Sequence, residues 1–138
     1  MLFPKKVKFR KWQTKRSNAK KIRIAARGAT VAFGSFGLQA EKSGRITSNQ
    51  IEAARKAMSK AIGKTGRIWI RIFPDRPYTA KPAEVGMGKG KGDPVGYVAE
   101  VRPGTIIFEM DGIADSLAKE ALRKASSKIS VKTKAVSR

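Results

Sequence analysis

The stretch of this sequence that most invites chemistry is Gly86-Met87-Gly88-Lys89-Gly90-Lys91-Gly92, where glycines and lysines together could cradle a phosphate. A nucleotide site fails on spacing. A P-loop needs Ser or Thr directly after its lysine, and glycine follows both Lys89 and Lys91. The glycines do not fall in G-x-G-x-x-G order, and proline-rich sequence precedes them where either motif needs a strand running into a helix. The segment offers something simpler. After Met87, the glycines Gly88, Gly90 and Gly92 form a thin backbone that can approach sugar and phosphate closely and donate its amides, while Lys89 and Lys91 add charge. A flexible linker is the alternative reading, but linkers are usually Gly/Ser-rich. Two carboxylates, Glu100 and Glu109, fall at diagonal positions on one face if their strands form a hairpin. A glycosidase pair would look like that. No aromatic cleft surrounds them, and a solvated strand face is the better reading.

Charge narrows the partner. The 138 residues carry 31 Lys and Arg against 10 Asp and Glu, a formal charge of +21. Such an excess repels itself and calls for a polyanion that neutralises it, with release of counterions. A membrane surface would usually require a basic amphipathic helix with bulky apolar residues, and none is evident. Nucleic acid is the better partner. There is no cysteine or histidine, which removes thiolate and imidazole catalysis and most zinc sites, and no cofactor is expected. No apolar run approaches the length of a membrane span, and no secretory signal is expected at the start. A basic, acid-free start also fits a mitochondrial presequence.

The elements that must position these groups can be read in order. Residues 1–27 form a basic arm with eleven Lys or Arg, and no acidic residue precedes Glu41. Within it Phe3, Phe9 and Trp12 are interleaved with Lys5, Lys6, Lys8, Arg10 and Lys11. Cations meet phosphates and rings stack on unpaired bases, so the mixture suits RNA; a charged terminus docked by its aromatics is the alternative. Ala29–Phe33 and Phe36–Ala40 alternate as strands and read as a hairpin about Gly34-Ser35. Gly34-Ser35-Phe36-Gly37 also fits the GXXG loop of KH domains, but a plain turn explains it.

Thr47 and Gln50 make a capping box that opens a helix with Ile51, Ala54, Met58 and Ala61 inward. Arg55, Lys56 and Lys60 lie on its other face, toward solvent or an RNA backbone, and Gly63 ends it. Arg67–Phe73 is a strand with three isoleucines on one face. Arg67, Trp69, Arg71 and Phe73 on the other make either an RNA face or a second small core. A loop is expected over 74–94, including Lys81. Strands Tyr97–Val101 and Ile106–Met110 surround Pro103-Gly104, which favours a type II turn, a poor two-residue hairpin. A helix over 114–129 and a strand over 130–136 complete the chain. The expectation is one domain over 1–138, with the arm at 1–27 and an α+β core at 28–138: a mainly antiparallel sheet with two helices packed on it.

In sequence the chain resembles the large-subunit ribosomal protein L-sixteen family of bacteria, counterpart of the archaeal and eukaryotic L-ten-e proteins. The matching stretches are Pro4-Lys5, Lys8-Phe9-Arg10-Lys11, Phe33–Leu38, Gln50–Arg55, Ile68–Asp75, Lys81-Pro82, Met87–Gly92, Pro103-Gly104 and Glu109-Met110. The resemblance implies an α/β-hammerhead fold and a place in the large ribosomal subunit of the cytoplasm, an organelle ribosome being the open alternative. It implies binding to large-subunit (23S) rRNA near the peptidyl-transferase region, contact with A-site tRNA, P-site tRNA as a further contact, and neighbouring large-subunit proteins. In the family the arm and the Gly/Lys loop reach furthest into RNA. This chain departs in three places. Gly86 stands where the family commonly has an arginine, Gly96-Tyr97 where a Tyr-Trp pair is usual, and the arm is longer over Lys20–Arg27. Two other functions stay open at this level: a transiently bound RNA-binding or assembly protein, and a cationic membrane-active protein.

Overall fold

In a computed structural model of the chain, residues 1–14 and 18–138 are described. Lys15 and Arg16, two cations of the arm, lie outside the described residues. Seven strands and two helices follow the arm: β1 Phe36–Ala40, β2 Gly44–Thr47, α1 Ser48–Ile62, β3 Arg67–Ile70, β4 Arg76–Ala80, β5 Asp93–Val101, β6 Ile106–Asp111, α2 Asp115–Ser126 and β7 Thr133–Ser137. All strand pairs are antiparallel. The α+β arrangement is the one expected, but the strands divide between two sheets. One has the order β3-β6-β1-β7, the other β2-β5-β4.

The division follows from one turn. β5 and β6 do not pair as the hairpin expected from sequence; each belongs to a different sheet. Pro103 and Gly104 form a type II turn, with Gly104 at φ 97 and the Thr105 amide donating to Arg102 O at 3.1 Å. That geometry splays its flanking strands instead of closing them. It hands the chain from one sheet to the next.

Each helix covers the core as its spacing requires. The capping box at Thr47 and Gln50 is formed in both directions, at 3.3 and 3.1 Å. α1 buries Ile51, Ala54, Met58 and Ile62, and Gly63 closes it, its amide donating a hydrogen bond to Ser59 O at 3.0 Å. Ala61 is only half-buried, since the last turn shifts the inward position to Ile62. α2 lays Ala118, Ala121, Leu122 and Ala125 against α1; three alanines let the two axes approach closely. It stops at Ser126, where Ser126 and Ser127 turn their hydroxyls back to Arg123 O and Lys124 O. Both helices and both sheets share one apolar cluster, with Leu38, Ile46, Val101, Phe108 and Met110 contributed by the strands.

Three further expectations change. Ala29–Phe33 is not a strand but an irregular strap, because its amides are drawn onto a buried carboxylate described below. The expected loop over 74–94 contains β4, and the irregular stretch is 81–92. Pro77 is accommodated because β4 is an edge strand, where a missing amide costs no ladder bond. The last strand starts at Thr133 rather than 130, while Val131 is buried ahead of it.

Candidate nucleic-acid interface

Two segments far apart in sequence are tied together on one side of the molecule. The loop 81–92 leaves β4 and returns to β5 through a narrow neck, where a side chain at Gly92 would sit 2.6 Å from Ala80 O. Its tip is left-handed backbone, with Gly88, Lys89 and Gly90 at φ 97, 60 and 92. Lys81 reaches across the loop to Gly88 O. Met87 is fully exposed, and Lys89 beside it is exposed as well.

The arm lies against this loop. Lys11 Nζ donates to Lys91 O at 3.4 Å, and Lys91 Nζ donates to Trp12 O. Arg76 of β4 holds the next residue, donating to Gln13 O at 2.9 Å, and its guanidinium sits 5.6 Å from the centre of the Trp12 ring. The structure therefore brings Lys11, Trp12, Lys81 and Met87–Gly92 into one cationic patch. Lys5, Lys6, Lys8 and Arg10 extend it along the exposed arm, with Lys8 over the Phe9 ring at 5.5 Å. Phe3, Phe9 and Trp12 all present exposed rings. Docking and exposure coexist here: the backbone near Trp12 is held while its ring stays accessible.

The helix cations stand apart. Lys56 and Lys60 are exposed on α1. Arg55 pairs with Glu52 one turn back; the shared hydrogen bond holds the Glu52 carboxyl below its ordinary range and raises the guanidinium. Among the described residues no hydrogen bond or ion pair joins these three to the arm or the loop.

Arg71 is engaged inside the protein. It donates to the Glu109 carboxylate, reaches Thr30 O at 3.3 Å and lies 5.0 Å from the centre of the Phe33 ring. Phe33 in turn stacks on Trp69 at 6.2 Å. The expected small core of Trp69 and Phe73 with outward arginines is not what forms: Trp69 pairs with Phe33, Phe73 is exposed, and Arg71 is held against Glu109 instead of turned out.

The expectation that Glu109 is solvated is corrected: its exposure is 0%. Its Oε1 accepts hydrogen bonds from the backbone amides of Ala32, Phe33 and Gly34 at 2.7, 2.8 and 3.1 Å. Burial pushes this carboxyl up. Arg71 and the three amides outweigh it together and hold the group below the usual carboxylate range. The sequence does carry a signal for this. Ile106–Met110 is apolar on both faces apart from Glu109, so the strand is covered on both sides and its carboxylate must be paired. Glu100, by contrast, is exposed, and bonds Arg45 at 3.3 Å and Arg76 at 3.0 Å. The two glutamates lie in different sheets and form no catalytic pair.

The family model for ribosomal protein L16p/L10e matches residues 4–136, nearly the whole chain, including arm, strap, loop and both sheets. With that extent of match, the chain belongs to the ribosomal protein L16p/L10e family, a structural constituent of the large ribosomal subunit associated with its rRNA and proteins.

Proposed function

We propose that the protein binds large-subunit rRNA through one composite surface, made of the arm and the 81–92 loop, and meets A-site tRNA there near the peptidyl-transferase region. P-site tRNA would be reached from the same surface. The observation that carries this reading is the pair of ties between Lys11, Trp12 and Lys91. They present cations, accessible rings and bare glycine backbone side by side, which is what unpaired RNA asks of a protein. Lys5, Lys6, Lys8, Arg10 and Lys89 supply phosphate contacts, and Arg55, Lys56 and Lys60 contact a separate stretch of RNA backbone. Arg71 acts from beneath, by holding the strap. The role is architectural and tRNA-positioning, without a catalytic group.

The test is photo-crosslinking from a benzophenone residue at Met87 or Trp12, in reconstituted large subunits carrying A-site tRNA. Crosslinks to rRNA and to that tRNA are expected. Crosslinks to ribosomal proteins alone would sink the proposal. Quantitation near one copy per mature subunit separates a resident component from a transient assembly protein.

A further inference from the structure

The arm has a second half that the surface above does not use. Residues 20–27 pass beside the start of β2 and the end of β5, and Lys21–Arg23 leave a cleft of about 630 Å³ between themselves and these strands. Lys21 and Arg23 line it from the arm, Arg45 from β2 and Arg102 from the end of β5. An adjoining hollow shares Glu100 and Arg102 with the cleft and adds Arg27. The arm is fixed in place there by backbone bonds, Ala25 N to Pro103 O at 2.9 Å and Ile106 N to Gly28 O at 2.8 Å. These cations are held along a defined trough.

The charge balance in that trough is one-sided. Glu100 is its single acidic group, and this carboxylate is already bonded to Arg45 and Arg76. Among the described residues, Lys21, Arg23, Arg27 and Arg102 have no acidic partner within ion-pair distance. A cluster of like charges destabilises the free protein, so an anion is needed to complete it. Small residues line both parts: Ser43 and Gly44 the cleft, Ala25 and Ala26 the adjoining hollow. They allow a sugar-phosphate chain to come close. A small-molecule pocket would carry apolar walls, and a protein–protein interface would centre on buried aromatic anchors. This cleft is mixed: Ile22 and Val101 contribute apolar surface among its cations, and among the described residues no aromatic one lines it.

We propose that this cleft is a second, separate RNA-binding groove that grips the sugar-phosphate backbone of structured rRNA. It is distinct from the arm–loop surface. Glu100 sits between the two: on one side it holds Arg45 of the groove, on the other Arg76, which carries Trp12 and Gln13. One molecule thus clamps two RNA segments from opposite halves of a single arm. The proposal rests on the RNA-binding reading above and adds a site to it.

The test places a benzophenone residue at exposed Ser43 in one preparation and at Met87 in another, each full-length protein reconstituted into large subunits. Crosslinked nucleotides are then mapped. The expected result is rRNA crosslinks from both positions, to two segments that are not contiguous. Crosslinks from Ser43 to a neighbouring protein only, or none beside a productive Met87 probe, overturn the groove and leave the first surface standing. Silence from both positions overturns the RNA reading and the groove with it. As a second measurement, Arg23→Ala with Arg102→Ala should lower the salt-dependence slope of binding to rRNA by roughly 0.7–0.9 for each phosphate no longer neutralised. That decrease should add to the one from Lys89→Ala. An unchanged slope overturns the proposal.

Discussion

Arg71, just past the end of β3, meets Glu109 of the neighbouring strand β6, and the carboxylate, shared with the strap, is fully buried. One oxygen takes the guanidinium; the other takes three successive amides from Ala32, Phe33 and Gly34. A segment without regular structure is thereby given a fixed path. It positions Phe33 on Trp69 and covers the outer face of β1, where Val31 packs against Gly37.

Removing that carboxylate should be strongly destabilising. Glu109→Gln leaves Arg71 without its counter-charge and turns an amide donor toward other donors. A loss of about 3–5 kcal/mol is expected, as for other broken buried pairs. Urea unfolding measures it. A loss below about 1 kcal/mol, the size of an ordinary surface pair, would show that the clamp is not formed in solution.

The same group should make stability depend on acid. Its folded pKa lies below its unfolded value, so its contribution is complete above the unfolded carboxyl value of about 4.3 and is lost as pH falls through the folded value. The urea midpoint should therefore drop below about pH 4, and the drop should be smaller in Glu109→Gln. Asp111, lowered by the Ser35 hydroxyl and the Gly112 amide, acts with the same sign and leaves a residual dependence. Identical acid profiles for the two proteins would contradict the assignment.

Glycines on the strap and on the loop should respond oppositely. A Cβ at Gly34 would lie 2.6 Å from Met110 O, a backbone atom that cannot step aside. Gly34→Ala should cost about 1–3 kcal/mol through overpacking. At Gly86 a Cβ meets nothing within 4 Å. Gly86→Arg, which restores the arginine usual in the family, should leave the thermal midpoint nearly unchanged and steepen the salt dependence of rRNA binding. A folding defect in Gly86→Arg would refute the open surroundings described for it.

The two loop lysines should separate in their effects. Lys89→Ala should remove a phosphate partner, reducing the salt slope by roughly 0.7–0.9, and leave the arm where it is. Lys91→Ala should release the arm, because Lys91 binds Trp12 O. Chymotrypsin cleavage after Trp12 in the free protein should then accelerate. Equal cleavage rates in both variants would mean that the tie is not maintained.

Much of this is legible in the sequence. Thr47 and Gln50 announce their helix because capping is local, and Ile51, Ala54 and Met58 set its inner face by spacing alone. The loop, too, is readable from glycine and lysine. What stays hidden depends on contacts between distant segments. β4 is masked by Pro77, which is harmless only at an edge that the sequence does not mark. The strap at 29–35 alternates like a strand, yet its amides go to a side chain from 75 or more residues away. Arg71 looks like any surface arginine until Glu109 is seen to be buried. The groove on the second half of the arm depends on β2, a strand too short to stand out.

The tip of the loop has a consequence in its handedness. Gly88, Lys89 and Gly90 together trace a short mirror-image course through a chain of L-residues. At the glycines this costs little; at Lys89 it opposes the side chain by roughly 1–2 kcal/mol. D-alanine at either glycine would fit the observed path, whereas L-alanine would bend it away. The finger is thus specified by chirality as well as charge, and an RNA that accepts it selects a backbone course that an ordinary L-residue run does not readily hold.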